Sequence, residues 1–116
     1  MRAELRKISP IDLNAWINRS NELPVFVDVR ESSELEIAAF SFEVVHLPLS
    51  KAEDWMNSLS DYLPIDKPIV VLCHAGVRSR NFGIWLLDQG WENEVWNLEG
   101  GIDAWSVKVD PNVPRY

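Results

Sequence analysis

The residues best suited to chemistry lie in one short run, Cys73-His-Ala-Gly-Val-Arg78-Ser79-Arg80, and Cys73 is the only cysteine in the chain. The apolar, β-branched stretch Ile69-Val-Val-Leu72 leads into it, and a helix-like pattern from Ser79 to Gln89 follows. A strand that breaks into a tight loop and then a helix can aim backbone N–H groups and the helix's positive end at the strand terminus. Gly76 permits a sharp turn with positive φ. Arg78 and Arg80 add full charges. Together these features favour a thiolate, so the Cys73 pKa is expected below the free value of about 8.5. A thiolate is a nucleophile, and the same field attracts an anionic substrate. The plain alternative is a structural cysteine, because free cysteine is among the most buried residue types. A core cysteine needs no glycine turn, arginine pair or helix start behind it, so the surroundings favour a reactive one.

The elements that must position this loop alternate along the chain. Val25–Val29, Val44–Leu47, Ile69–Leu72 and Val95–Leu98 read as strands, and Leu5–Ile8 as a further edge strand. Ser9-Pro10-Ile11-Asp12 offers an N-cap, a proline at the first helical position and an early acid; Leu13, Trp16 and Ile17 then recur at helical spacing. Ser33 with Glu36, and Ser50 with Glu53, read as two further capping boxes, the latter opening a helix through Trp55, Met56 and Leu59. Gly90 stops the helix after Cys73, and a last short helix is expected near Gly101. The alternation predicts an α/β fold of three layers, a mainly parallel five-stranded sheet with helices on both faces. Residues 1–116 are expected to form one domain. In such open sheets ligands bind beyond the carboxyl ends of the strands, where Cys73 stands.

Composition sets the outer limits. With 47% hydrophobic and 25% charged residues, the chain reads as an ordinary globular protein. A net charge of −7 argues against nucleic acid or an anionic membrane as partner. The amino terminus interleaves charges with apolar residues, unlike a secretory signal, and no apolar run approaches the roughly 20 residues a membrane span needs. A lone cysteine forms no internal disulfide, which suits the cytoplasm. Two histidines and one cysteine, widely separated, suggest no metal site, and no cofactor is expected.

Among the other polar residues, Arg30 either binds substrate from a neighbouring strand end or pairs with an acid such as Glu31 or Glu34. Asp28 reads as a support for loop backbone. His74 could tune the field at Cys73 or contact a donor, although a neighbour in a loop often points away. His46 reads as packed. Most of the six tryptophans read as core, with Trp85 or Trp91 able to shape a pocket entrance. Glu34, Glu36, Asp54, Asp61, Glu92 and Glu94 read as a solvated acidic surface.

Three segments resemble the single-domain rhodanese family: Val27-Asp28-Val29-Arg30-Glu31, Cys73-His-Ala-Gly-Val-Arg78-Ser79, and Asn97-Leu-Glu-Gly-Gly-Ile-Asp-Ala-Trp105. They occur in family order from about residue 5 onward, and the tail Asp110-Pro-Asn-Val-Pro-Arg-Tyr116 is similar to tails of small bacterial members. One departure is Ala38-Ala39-Phe40, where members often carry Gly-His-Ile. The resemblance implies a sulfurtransferase in which Cys73 takes a sulfane sulfur, for instance from thiosulfate, as a persulfide and passes it to cyanide or a cellular thiol. His74, Ala75, Gly76, Val77, Arg78 and Ser79 would cradle the sulfur and the donor, with Arg30 assisting. With no second cysteine to resolve the persulfide, a thiol or protein acceptor is required. Four residues separate Cys73 from Arg78, one fewer than in the related phosphatases, so the loop suits one sulfur atom better than a phosphate. A non-catalytic binding or sensing module and a dedicated sulfur carrier are the competing readings.

Overall fold

Short runs of β-branched residues without charge favour strands buried on both faces, and β4 (Ile69–Leu72) shows why: all four of its residues have no solvent exposure. The computed structural model describes residues 4–116. In chain order it contains β1 (Arg6–Ile8), α1 (Pro10–Arg19), β2 (Val25–Asp28), α2 (Ser32–Ile37) and β3 (Val45–His46). After β4 come α3 (Val77–Asp88), β5 (Val95–Leu98) and α4 (Gly101–Lys108). The five strands form one sheet in the order β1-β5-β4-β2-β3, and every pairing is parallel. The expected α/β architecture is present, with β1 at an edge and β4 in the centre.

Alternation along the strands divides the core in two. Ile69, Val71 and Cys73 face one side, where they pack with Trp55, Leu59, Leu63 and α3 residues Phe82, Leu86 and Leu87. Val70 and Leu72 face the other, with Leu13 of α1 and Ile102 and Trp105 of α4. Leu13 and Leu86 are fully buried, so truncating either to alanine is worth about 2–5 kcal/mol. Where the family often has Gly-His-Ile, Phe40 instead packs against Phe26, Phe42 and Trp105, with ring centroids 5.0–6.0 Å apart. An aromatic cluster fills that corner.

Three local expectations need correction. The segment after β3 is not an α-helix: it forms two 3-10 stretches, Leu49–Asp54, itself kinked at Lys51 (φ −119°, ψ 32°), and Leu59–Asp61. The Ser50 hydroxyl does not cap it but donates to the Glu31 carboxylate. The cap of α2 lies two residues earlier than the Ser33–Glu36 pattern suggests, with Glu31 at the N-cap and Glu34 Oε1 accepting from the Glu31 N–H at 3.1 Å. Trp85 of α3 and Trp91 just beyond it pack against the core layer on the α3 side, Trp85 edge-on to Trp55 with centroids 6.1 Å apart. Among the described residues, no helix is long and apolar enough to cross a membrane.

Candidate active site

Strand alternation puts Cys73 on the α3 side of the sheet, and the loop that follows folds back over its sulfur. Gly76 adopts φ +100°, open to glycine without strain, and this turn brings its N–H to 3.1 Å from Cys73 Sγ. The first turn of α3 contributes the Ser79 N–H at 3.4 Å, and the Ser79 hydroxyl lies 3.2 Å from the sulfur. These dipoles converge where a negative sulfur would sit. Cys73 is 1% exposed and packs in the apolar cluster on this side of the sheet, yet its sulfur also meets the Gly76 N–H, the Ser79 N–H and the Ser79 hydroxyl.

Two elements hold the loop from behind. Asn97 on β5 donates through Nδ2 to the Gly76 carbonyl at 3.0 Å and accepts the Ser79 hydroxyl at Oδ1 at 2.5 Å. Ser79 has one hydroxyl hydrogen, so it serves either Asn97 or the sulfur at a given moment, and a protonated Cys73 donates to Ser79 Oγ. From α4, the Ile102 and Asp103 N–H groups donate to the carbonyls of Cys73 and His74 at 2.8 and 3.1 Å. Orphan donors of one helix start thereby satisfy the acceptors of the loop that follows β4. Gly101 makes this approach possible: a Cβ there would collide with both carbonyls. Neither Asn97 nor this docking was assigned a role from sequence, although both lie in the Asn97–Trp105 segment that carried the resemblance.

The arginines are placed differently from expectation. Arg30 has no solvent exposure; its Nε and Nη2 bind the equally buried Asp28 carboxylate at 2.7–3.1 Å. Of its two expected roles Arg30 takes the ion pair, with Asp28 and not Glu31 or Glu34 as the acid, and its Nη1 donates to the Glu34 carbonyl at 3.4 Å. Burial pulls the Arg30 pKa down, but hydrogen bonds with Asp28 and Tyr116 outweigh it and the net direction is up. Asp28 also accepts the Arg30 N–H at 3.0 Å, and the Arg30 carbonyl accepts from His46 Nε2 at 2.6 Å. Arg30 stands behind the site and not at its mouth.

Arg78 stands at the mouth, with its side chain 39% exposed, and it is already engaged. Its Nη1 and Nη2 bind Glu34 Oε1 and Oε2 at 2.7 and 2.9 Å. Those hydrogen bonds hold the Glu34 carboxyl at about 2 and push the Arg78 pKa up. A charge on the Cys73 sulfur also acts on Arg78, so the two are electrostatic neighbours. Glu34, read from sequence as a solvated acid, is thus part of the site's wall. Arg80 points to solvent, as do Ala75 and Val77, while His74 is half-buried with its ring against Tyr116, centroids 4.3 Å apart.

Residues 9–108 match the model of the rhodanese-like domain. The chain is 42% identical over 91 residues to the chloroplastic rhodanese-like/PpiC domain-containing protein 12 of Arabidopsis thaliana, covering 78% of this chain and 29% of that protein. Across three of its curated relatives, that one included, the chain spans between 24% and 29% of their length. It is also 31% identical over 91 residues to the thiosulfate sulfurtransferase GlpE of Glaesserella parasuis, covering 78% of this chain and 79% of that one. A rhodanese-like domain protein of Staphylococcus aureus superposes with a TM-score of 0.73 at 23% identity, over 96% of this chain and 98% of the other. With the family model matched over residues 9–108, the chain belongs to the rhodanese-like domain family.

Proposed function

We propose that the protein is a sulfurtransferase that carries sulfur as a Cys73 persulfide. The observation that carries this reading is the convergence of the Gly76 N–H, the Ser79 N–H and the Ser79 hydroxyl on one cysteine sulfur. With thiosulfate, the Cys73 thiolate attacks the outer sulfur and uses its electron pair to form a new S–S bond. The old S–S bond breaks, and sulfite leaves with its pair. The loop amides stabilise the charge that then rests on the terminal sulfur. Cyanide or a cellular thiolate attacks that sulfur in turn, and Cys73 departs as thiolate.

In this scheme His74, Ala75, Gly76 and Val77 form the lip over which the donor enters, Ser79 steadies the sulfur, and Arg78 faces the donor. Arg30, held by Asp28 and hydrogen-bonded to Tyr116, does not touch the donor. The compartment is a reducing one, the cytoplasm. The near-complete burial of Cys73 also favours a second reading, a dedicated carrier whose protein partner opens the loop.

Incubation with thiosulfate is expected to add one sulfur, about 32 Da, to Cys73, and cyanide is expected to remove it. An adduct that only a protein acceptor removes would identify the carrier, and no adduct from any donor would leave a binding module. Cys73→Ser should keep the fold and lose transfer, because a hydroxyl is far less acidic and less nucleophilic than a thiol. Transfer at the parent rate in that variant would refute the assignment.

A further inference from the structure

Tyr116 joins two ion pairs into one chain, Asp28–Arg30–Tyr116–Glu34–Arg78. Its hydroxyl accepts from Arg30 Nη1 at 2.9 Å and donates to Glu34 Oε2 at 2.8 Å. Its ring lies 5.9 Å from the Arg30 guanidinium carbon and leans on His74. Glu34 consequently receives four donors: two from Arg78, one from Tyr116 and the Glu31 N–H. A carboxylate with that many partners is held in place, and it fills the fork of the Arg78 guanidinium.

We propose that Glu34, locked by Tyr116, acts as a built-in anion on Arg78 and makes the site selective against small dianionic sulfur donors. This rests on the sulfurtransferase reading above and specifies its donor class. A dianion such as thiosulfate arrives at a thiolate beside an arginine whose charge is cancelled and whose bidentate face is occupied. It must compete with Glu34 for that face. A persulfide of an uncharged thiol carries one negative charge at most and reacts in its protonated form, so it does not need the bidentate face of Arg78. The Cys73 thiolate takes its outer sulfur together with that sulfur's proton, and the donor leaves as a thiolate, so no second negative charge enters the site. Asp28 cancels Arg30 in the same way, so Arg30 does not compensate. Glu34 and Tyr116 are positioning residues here, acting through Arg78.

The test compares two donors, thiosulfate and the persulfide of 2-mercaptoethanol, in steady-state transfer to cyanide. Removing the built-in anion with Glu34→Gln should lower the KM for thiosulfate about tenfold, and loosening it with Tyr116→Phe about threefold, with kcat within about twofold. The KM for the persulfide, which carries one negative charge at most, should shift far less than that for thiosulfate. A thiosulfate KM that is unchanged or raised in both variants would overturn the proposal, as would equal shifts for both donors. Should the parent protein transfer no sulfur from either donor, calorimetric titration of thiosulfate into Cys73→Ser and into Cys73→Ser/Glu34→Gln decides separately. Tighter binding in the double variant supports the built-in anion even though the transfer reading has failed, and equal binding refutes it.

Discussion

Two arginine–carboxylate pairs border the candidate site, and Tyr116 bridges them, yet they live in different dielectric worlds. Asp28 and Arg30 are two residues apart on one strand end, and both side chains have no exposure. Glu34 and Arg78 lie 44 residues apart and keep 17% and 39% of their side-chain surface. The same ionic chemistry therefore does two jobs. Buried charge cannot be left unpaired, so the first pair is scaffold and fixes the β2 end against the chain that follows. The second can be opened by water or by a competing anion, so it can tune what enters.

The strongest way to break that contrast is to remove one arginine at a time. Arg30→Ala leaves the Asp28 carboxylate buried without its partner and should cost about 3–5 kcal/mol in urea unfolding. Arg78→Ala leaves Glu34 near solvent, still hydrogen-bonded to Tyr116 and to backbone, and should cost about 0–1 kcal/mol. Equal losses for the two variants would show that the mouth pair is scaffold as well, and the division of labour would fail.

Acid sharpens the comparison at the level of a single carboxyl. The Arg78 hydrogen bonds lower the Glu34 pKa from 4.5 to about 2. A lowered folded pKa means stability that is complete above 4.5 and is lost as pH falls through about 2. Parent and Glu34→Gln proteins should therefore differ by about 1 kcal/mol near pH 6, allowing for solvent screening, and should converge near the bottom of that window. Urea midpoints across the range measure this. A gap that persists unchanged at the lowest pH would mean that Glu34 contributes through packing and not through charge.

These pairs also mark where sequence stops being informative. The strands, the helix after Cys73 and the Gly76 turn are legible because each is written in residues within one turn or one strand of each other. Cys73 and Ser79 fall together for the same reason, six residues apart around one loop. Glu34 meets Arg78 and Tyr116 across 44 and 82 residues, and no local pattern encodes such a meeting. Asn97 reaches Ser79 across 18 residues; its only signal was membership of the Asn97–Trp105 segment. The misplaced helix after β3 has a related cause. Ser50 and Glu53 have the spacing of a capping box, but the Ser50 hydroxyl is drawn to Glu31 on another segment, and the turn tightens to 3-10 without its cap.

The smallest expected effect concerns how the segment bearing Tyr116 is kept in place. Arg115 pairs with Asp103 at 2.8 and 3.1 Å, but its side chain is 64% exposed, and a pair so open to water contributes little. Stronger anchors lie on either side of it: Val113 is 5% exposed with its carbonyl accepting the Ser106 hydroxyl, and Tyr116 sits between Arg30 and Glu34. Arg115→Ala should accordingly leave the urea midpoint unchanged within error, and the 116-to-34 hydrogen bond with it. A loss approaching that of Arg30→Ala would show the opposite hierarchy, with a surface ion pair clamping the tail and the Tyr116 bridge following from it.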